Sequence, residues 1–208
     1  MTDEPGLRER KKLRTRAAIS TAAIELFLER GFDAVGVAEV ARVAEVSKRT
    51  LFAYFPAKED LVLHRFADHE TDAADVVRAR RPGQGALAAL REAFLRGLAE
   101  REPVTGLCDD PAVLAVFRLV TRTPALVARL AEFTSAGESA LAAALADAGV
   151  GPPDAGLAAA QITAVRRTLA TANMDAVAAG VPAGERYPEA VAAAERAFTL
   201  LSSGVGFG

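Results

Sequence analysis

The residues best suited to chemistry in this chain are Lys48, Arg49 and Thr50, three consecutive polar side chains directly after Val46-Ser47. Lysine and arginine in the first turn of a helix reach far enough to hydrogen-bond guanine N7 and O6 in a DNA major groove. Neighbouring hydroxyls and lysines suit phosphate oxygens, which fix register without reading sequence. A helix N-terminus adds free amides and a favourable dipole for the same phosphates. Other reactive residue types are sparse. His64 and His69 are five apart, so they do not share a helix face, which argues against a metal pair. The single cysteine, Cys108, has no activating neighbour in sequence and reads as a packing residue. There is no nucleophile–base pair and no glycine-rich phosphate loop. The chain is therefore read as not an enzyme, with no catalytic residue, cofactor or metal.

Positioning those side chains requires a helix held by its opposite face. Ser47 can cap the free amides of a helix starting at Lys48, with Leu51, Phe52 and Phe55 inward and Arg49, Thr50 and Ala53 outward. Before it, Val37, Val40, Ala41 and Ala44 fall at i, i+3, i+4 and i+7, the buried stripe of a short helix. A first helix from about Glu9 to Arg30 carries Ile19, Ala22, Ala23, Leu26 and Phe27 on one face, with Gly31 as its stop. Pro56 ends the third helix. Residues 1–56 therefore read as a helix-turn-helix unit.

Residues 57–208 read as helices throughout. A fourth helix is expected from Ala57 to Arg80, with Leu61, Phe66, His69, Ala73 and Val76 or Val77 inward. Further helices are expected over about 84–102, 111–121, 124–148, 154–179 and 188–201. Thr123 and Asp154 are the expected caps of the seventh and eighth, and the tail from Ser202 reads as loose. The fold class is all-α, with about nine helices.

Composition narrows the setting. The 208 residues are 51% hydrophobic and carry a net charge of −2. That balance is uneven. Residues 1–60 hold eleven Lys/Arg and ten Asp/Glu, and six of the nine residues from Arg8 to Arg16 are basic. A basic arm on an acidic chain suits one small surface that meets a polyanion. One cysteine leaves no internal disulfide framework and suits a reducing, cytoplasmic location. The N-terminus lacks the apolar core of a signal peptide, and no apolar run approaches the ~20 residues of a membrane span.

The stretch GFDAVGVAEVARVAEVSKRTLFAYFPAKEDLV resembles the signature of TetR-family transcriptional regulators, over about Arg14 to Val62. The resemblance implies a ligand-responsive repressor whose larger second domain, 57–208, binds a small-molecule effector and dimerises. It implies that Lys48, Arg49 and Ala53 face bases. It places Thr50, Tyr54 and Lys58 on phosphates, with Thr15 and the Gly36 amide as further phosphate contacts. A palindromic double-stranded operator and a homodimer through the eighth and ninth predicted helices, both rich in alanine, follow from the same resemblance. Candidate effector contacts are Phe94, Leu98, Phe117, Phe133, Gln161, Thr168, Asn173 and Arg166 or Arg167, of which Arg167 is the preferred one; an inward arginine would suit an anionic ligand. Three positions depart from the family pattern: Gly36 stands for a threonine, Glu45 for a turn glycine and Phe52 for a tyrosine. The competing reading is a helical small-molecule-binding protein or enzyme with a vestigial DNA-binding unit. The intact Lys48, Arg49, Thr50, Tyr54 and Lys58 speak against it.

Overall fold

The computed structural model describes residues 6–203, and for Leu7 and Glu9 the backbone alone. Every regular element among these residues is helical: α1 (Leu7–Arg30), α2 (Val37–Val43), α3 (Lys48–Tyr54), α4 (Asp60–Asp68), α5 (Asp72–Arg78), α6 (Ala86–Glu100), a 3-10 turn (Pro103–Thr105), α7 (Pro111–Arg122), α8 (Pro124–Asp147), α9 (Pro152–Ala178) and α10 (Ala183–Ser203). The chain divides into two compact units. One comprises the residues up to Ala67 together with Ala115–Leu130, and the other Asp68–Leu114 with the residues from Ala131 onward.

The first unit packs α1 to α4 around Ile19, Ala23, Phe27, Val40, Leu51, Phe55 and Leu61, all buried. The α1 stripe is the one its periodicity predicts. Residues from farther along the chain complete this unit. Asp60, buried at the start of α4, accepts from the Ala57 amide through one carboxylate oxygen (3.0 Å) and from Arg129 Nε through the other (2.9 Å). The Ser20 hydroxyl donates to the Leu61 carbonyl at 2.8 Å and lies 3.2 Å from His64 Nδ1, which explains a buried histidine without a metal.

The second unit has a core of Leu90, Phe94, Leu98, Leu141, Leu145, Ile162 and Phe198, threaded by the small residues Ala155, Ala159, Ala190 and Ala194. Small side chains on α9 and α10 let the two helices approach closely.

Several boundaries differ from the sequence reading. The expected fourth helix is two, α4 and α5, separated at His69–Thr71. Local polar bonds compete with the helix there: His69 Nδ1 lies 2.7 Å from Asp72, and the Thr71 hydroxyl donates to Asp75. The break also presents the Glu70 carbonyl to Gly137, where a Cβ would stand 2.7 Å from that oxygen. Phe66 and His69, expected inside, are exposed; Phe66 sits five residues from Leu61, off its face. Thr123 precedes Pro124 as expected, but its hydroxyl turns back to the Leu119 carbonyl instead of capping α8. Gly151, not Asp154, is the cap position of α9, because Pro152 is accommodated at the first helical position. The last helix begins at Ala183, whose amide donates to Asp109, and so contains Pro188. Of the expected loose tail, Ser202 and Ser203 are helical, and residues 204–208 lie outside the described residues.

Candidate nucleic-acid interface

α3 begins where its cap begins. The Ser47 hydroxyl accepts from the Thr50 amide at 3.0 Å and lies 2.8 Å from the Thr50 hydroxyl. Leu51 and Phe55, four apart, are buried, and α3 packs against α2. Lys48, Arg49 and Ala53 are exposed. Phe52 corrects the sequence reading: it is 45% exposed rather than inward. The reason is geometric, since Phe52 lies three residues from Arg49 and one from Leu51, which puts it on the face of the cations. The exposed side of α3 thus combines two cations, a methyl and a phenyl ring. Cations complement guanine edges, and apolar groups complement the thymine methyl.

The residues expected on phosphates are placed unevenly. Gly36 is the exposed cap position of α2, and a Cβ there would meet nothing within 4 Å. Thr50 and Tyr54 are half-buried on α3. The Thr15 hydroxyl donates to the Lys11 carbonyl at 3.0 Å, so its proton is committed within the helix. Lys58 is half-buried. Its ammonium donates to the Phe32 carbonyl at 2.6 Å and stands 4.2 Å from the Phe32 ring centre and 5.4 Å from that of Phe27. It therefore ties down the loop after α1, with N–H groups left for a phosphate. Lys58→Met is expected to lower stability by about 1–2 kcal/mol through the lost charged hydrogen bond. It should also weaken binding to all DNA sequences alike and flatten the salt slope by about one. Urea unfolding and salt titration of DNA binding check the two effects.

The turn before α3 is set by Glu45, whose φ is +53°. The Glu45 amide donates to the Arg42 carbonyl (3.2 Å) and the Val46 amide to the Ala41 carbonyl (2.9 Å). This is the paired Schellman closure of α2, made with a glutamate where a glycine is cheaper. Glu45→Gly is expected to raise stability by about 1 kcal/mol. It should strengthen DNA binding at low salt, because a negative charge leaves the turn. A higher urea midpoint at unchanged m checks the first effect.

The second unit contains a cavity of about 370 Å³ lined by α5, α6, the 3-10 turn and α9. Leu90, Phe94, Val76 and Thr105 supply its less polar wall, and Asp72, Asp75, Glu102, Arg96 and Arg166 its charges. Of the candidate effector contacts, Phe94 and Arg166 line it. Leu98 is in the core, Phe117 belongs to the first unit, Phe133 is half-buried, Gln161, Arg167 and Thr168 are exposed, and Asn173 is buried with its amide bonded to the Thr105 carbonyl. The distinction between the two arginines was legible in the spacing. Ala155, Ala159 and Ile162 are buried on α9, and the same 4-3-4 rhythm arrives at Arg166, not Arg167.

Residues 19–64 match the family model for bacterial regulatory proteins of the tetR family. The chain is 34% identical over 143 residues to the HTH-type transcriptional regulator TcmR of Streptomyces glaucescens; the match covers 68% of this chain and 63%, a little under two thirds, of TcmR. Residues 19–64 are a TetR-family DNA-binding segment. A second relative by sequence, the HTH-type transcriptional regulator LuxR of Vibrio harveyi, is 42% identical over 50 residues, 24% of each chain. The TetR fold extends beyond the matched segment. NalD of Pseudomonas aeruginosa, the secondary repressor of the MexAB-OprM multidrug efflux pump, superposes with a TM-score of 0.57 at 18% identity, over 88% of this chain and 96% of NalD. FadR of Bacillus subtilis, in complex with stearoyl-CoA, gives 0.51 at 19% identity over 91% of this chain and 99% of FadR. Among the described residues, no single helix is long and apolar enough to cross a membrane.

Proposed function

We propose that this protein is a ligand-responsive transcriptional repressor that binds a palindromic operator as a homodimer and is released by a small molecule. The observation that carries the reading is α3. Its buried pair, Leu51 and Phe55, fixes the helix, while Lys48, Arg49 and Ala53 stand free for base edges and Thr50, Tyr54, Lys58 and the Gly36 amide flank them. In this reading residues 1–56 hold the DNA contacts together with Lys58 just beyond them, and the rest of 57–208 holds the effector and the dimer interface. Dimerisation through α9 and α10 is supported by Leu157, 63% exposed on α9, and by the half-exposed Leu200 on α10, apolar surface that a second copy would cover. A bound effector acts only through its different affinity for the DNA-binding and released arrangements.

Footprinting on the intergenic DNA upstream of the protein's own coding region tests this. Two protected half-sites about one helical turn apart, bound by one dimer, are expected. Protection of a single half-site by a monomer would count against the dimeric reading, and absence of any preferred site against the regulator itself.

A further inference from the structure

The α9 cation in the cavity of the second unit is unusual in its surroundings. Arg166 is half-buried on the stripe that α9 otherwise fills with Ala155, Ala159 and Ile162. Among the described residues, no hydrogen bond or ion pair reaches its guanidinium. Burial pulls its pKa below the usual arginine value, and the more distant Asp72 carboxylate opposes that only in part. Two of the three nearby acids, Asp75 and Asp72, are otherwise engaged. Asp75 accepts from Arg78 at 3.1 Å and from the Thr71 hydroxyl at 2.9 Å, and Asp72 lies 2.7 Å from His69. A half-buried cation that no protein group hydrogen-bonds is free to take a bound anion as its counter-charge.

We infer that Arg166 is the anchor for the acidic group of an apolar, singly charged effector, whose body lies against Leu90, Phe94 and Val76 in the cavity of the second unit. The inference rests on the reading of this unit as the effector domain and adds the chemical class of the effector. The pocket is half-open to solvent, and its volume of about 370 Å³ lies in the range of small-molecule sites. The planar guanidinium favours a carboxylate, a sulfonate or a similar oxyanion held by two parallel hydrogen bonds. Asp72, Asp75 and Glu102 outnumber Arg96 and Arg166 around the same space and disfavour a polyphosphate, so the effector brings only the one negative charge that Arg166 meets.

Two dyes with one aromatic body serve as probes: the monoanion 1-anilinonaphthalene-8-sulfonate and its uncharged parent N-phenyl-1-naphthylamine, titrated by fluorescence into the full chain. The anion should bind wild type more tightly than the neutral dye. Arg166→Met should weaken the anion about 10-fold or more and leave the neutral dye unchanged. Arg167→Met, one residue on and exposed, should change neither, and Ala93→Phe, which fills the cavity, should reduce both. Thermal melts followed by circular dichroism confirm that each variant is folded. Equal affinity of the anion for wild type and Arg166→Met, or full binding to Ala93→Phe, overturns the inference. Operator binding with and without the anion separates this from the regulatory reading. A dye that needs Arg166 but leaves DNA affinity unchanged sustains the anion site and removes the regulation. Specific DNA binding with no role for Arg166 does the reverse.

Discussion

Gly106→Ala is expected to lower stability by about 2–4 kcal/mol, a large loss for the addition of one methyl group. Two effects add. Gly106 closes the 3-10 turn with φ at +73°, a left-handed conformation in which alanine costs about 1 kcal/mol relative to glycine. The second effect is steric. A Cβ on Gly106 would stand 1.9 Å from the carbonyl oxygen of Ala170 and 2.7 Å from its carbon. Those atoms are backbone of α9, so no side-chain rotation relieves the clash. The turn is also pinned from the other side. The buried Asn173 side-chain amide donates to the Thr105 carbonyl at 3.0 Å and accepts from Arg186 Nε at 3.2 Å. Moving the turn away from α9 would break this buried network, in which each lost partner leaves a costly unsatisfied group. Gly149→Ala is the control: its φ is +97° but its Cβ would meet nothing within 4 Å, so only the conformational cost of about 1 kcal/mol applies. Urea unfolding of both variants checks the difference. Equal losses would mean that the turn yields to α9 without resistance.

Arg49→Ala is expected to weaken binding to the cognate operator by about 1–3 kcal/mol, roughly 5- to 150-fold, and to weaken random DNA far less. Arg49 is exposed on the side of α3 opposite Leu51 and Phe55, so its removal leaves the fold intact and isolates the base contact. Lys58→Met is the complementary variant, since a phosphate contact is blind to sequence. If Arg49→Ala and Lys58→Met lost the same factor on cognate and random DNA, the division between base reading and backbone holding would be wrong.

How much of this could be read in advance depended on whether the relevant signal was local. The cap at Ser47 and the buried pair Leu51 and Phe55 are matters of i, i+3 and i+4 spacing, and the structure follows them. Phe52 shows hydrophobicity overriding position in a sequence reading: its spacing from Arg49 places it outward, although its type suggests burial. The break between α4 and α5 carries no proline or glycine. It depends on polar bonds around Thr71 and Asp72 and on the approach of Glu70 to Gly137, a residue far along the chain. Lys58 is similar, because its acceptor is the Phe32 carbonyl, 26 residues away. The cavity combines four separate elements, so composition and periodicity nominate only single members of its wall, such as Phe94. Arg166 could have been selected over Arg167 by extending the α9 stripe one further turn.

Whether α3 reads sequence is decided by fluorescence anisotropy of the wild-type chain and Arg49→Ala. The DNA is the upstream intergenic fragment and a random duplex, each at two salt concentrations. A sequence-reading α3 gives wild type a preference for the upstream fragment that survives the higher salt, while random binding collapses with counterion uptake, and Arg49→Ala loses that preference. Equal binding of wild type to both duplexes, falling with the same salt slope and unaffected by Arg49→Ala, would contradict it.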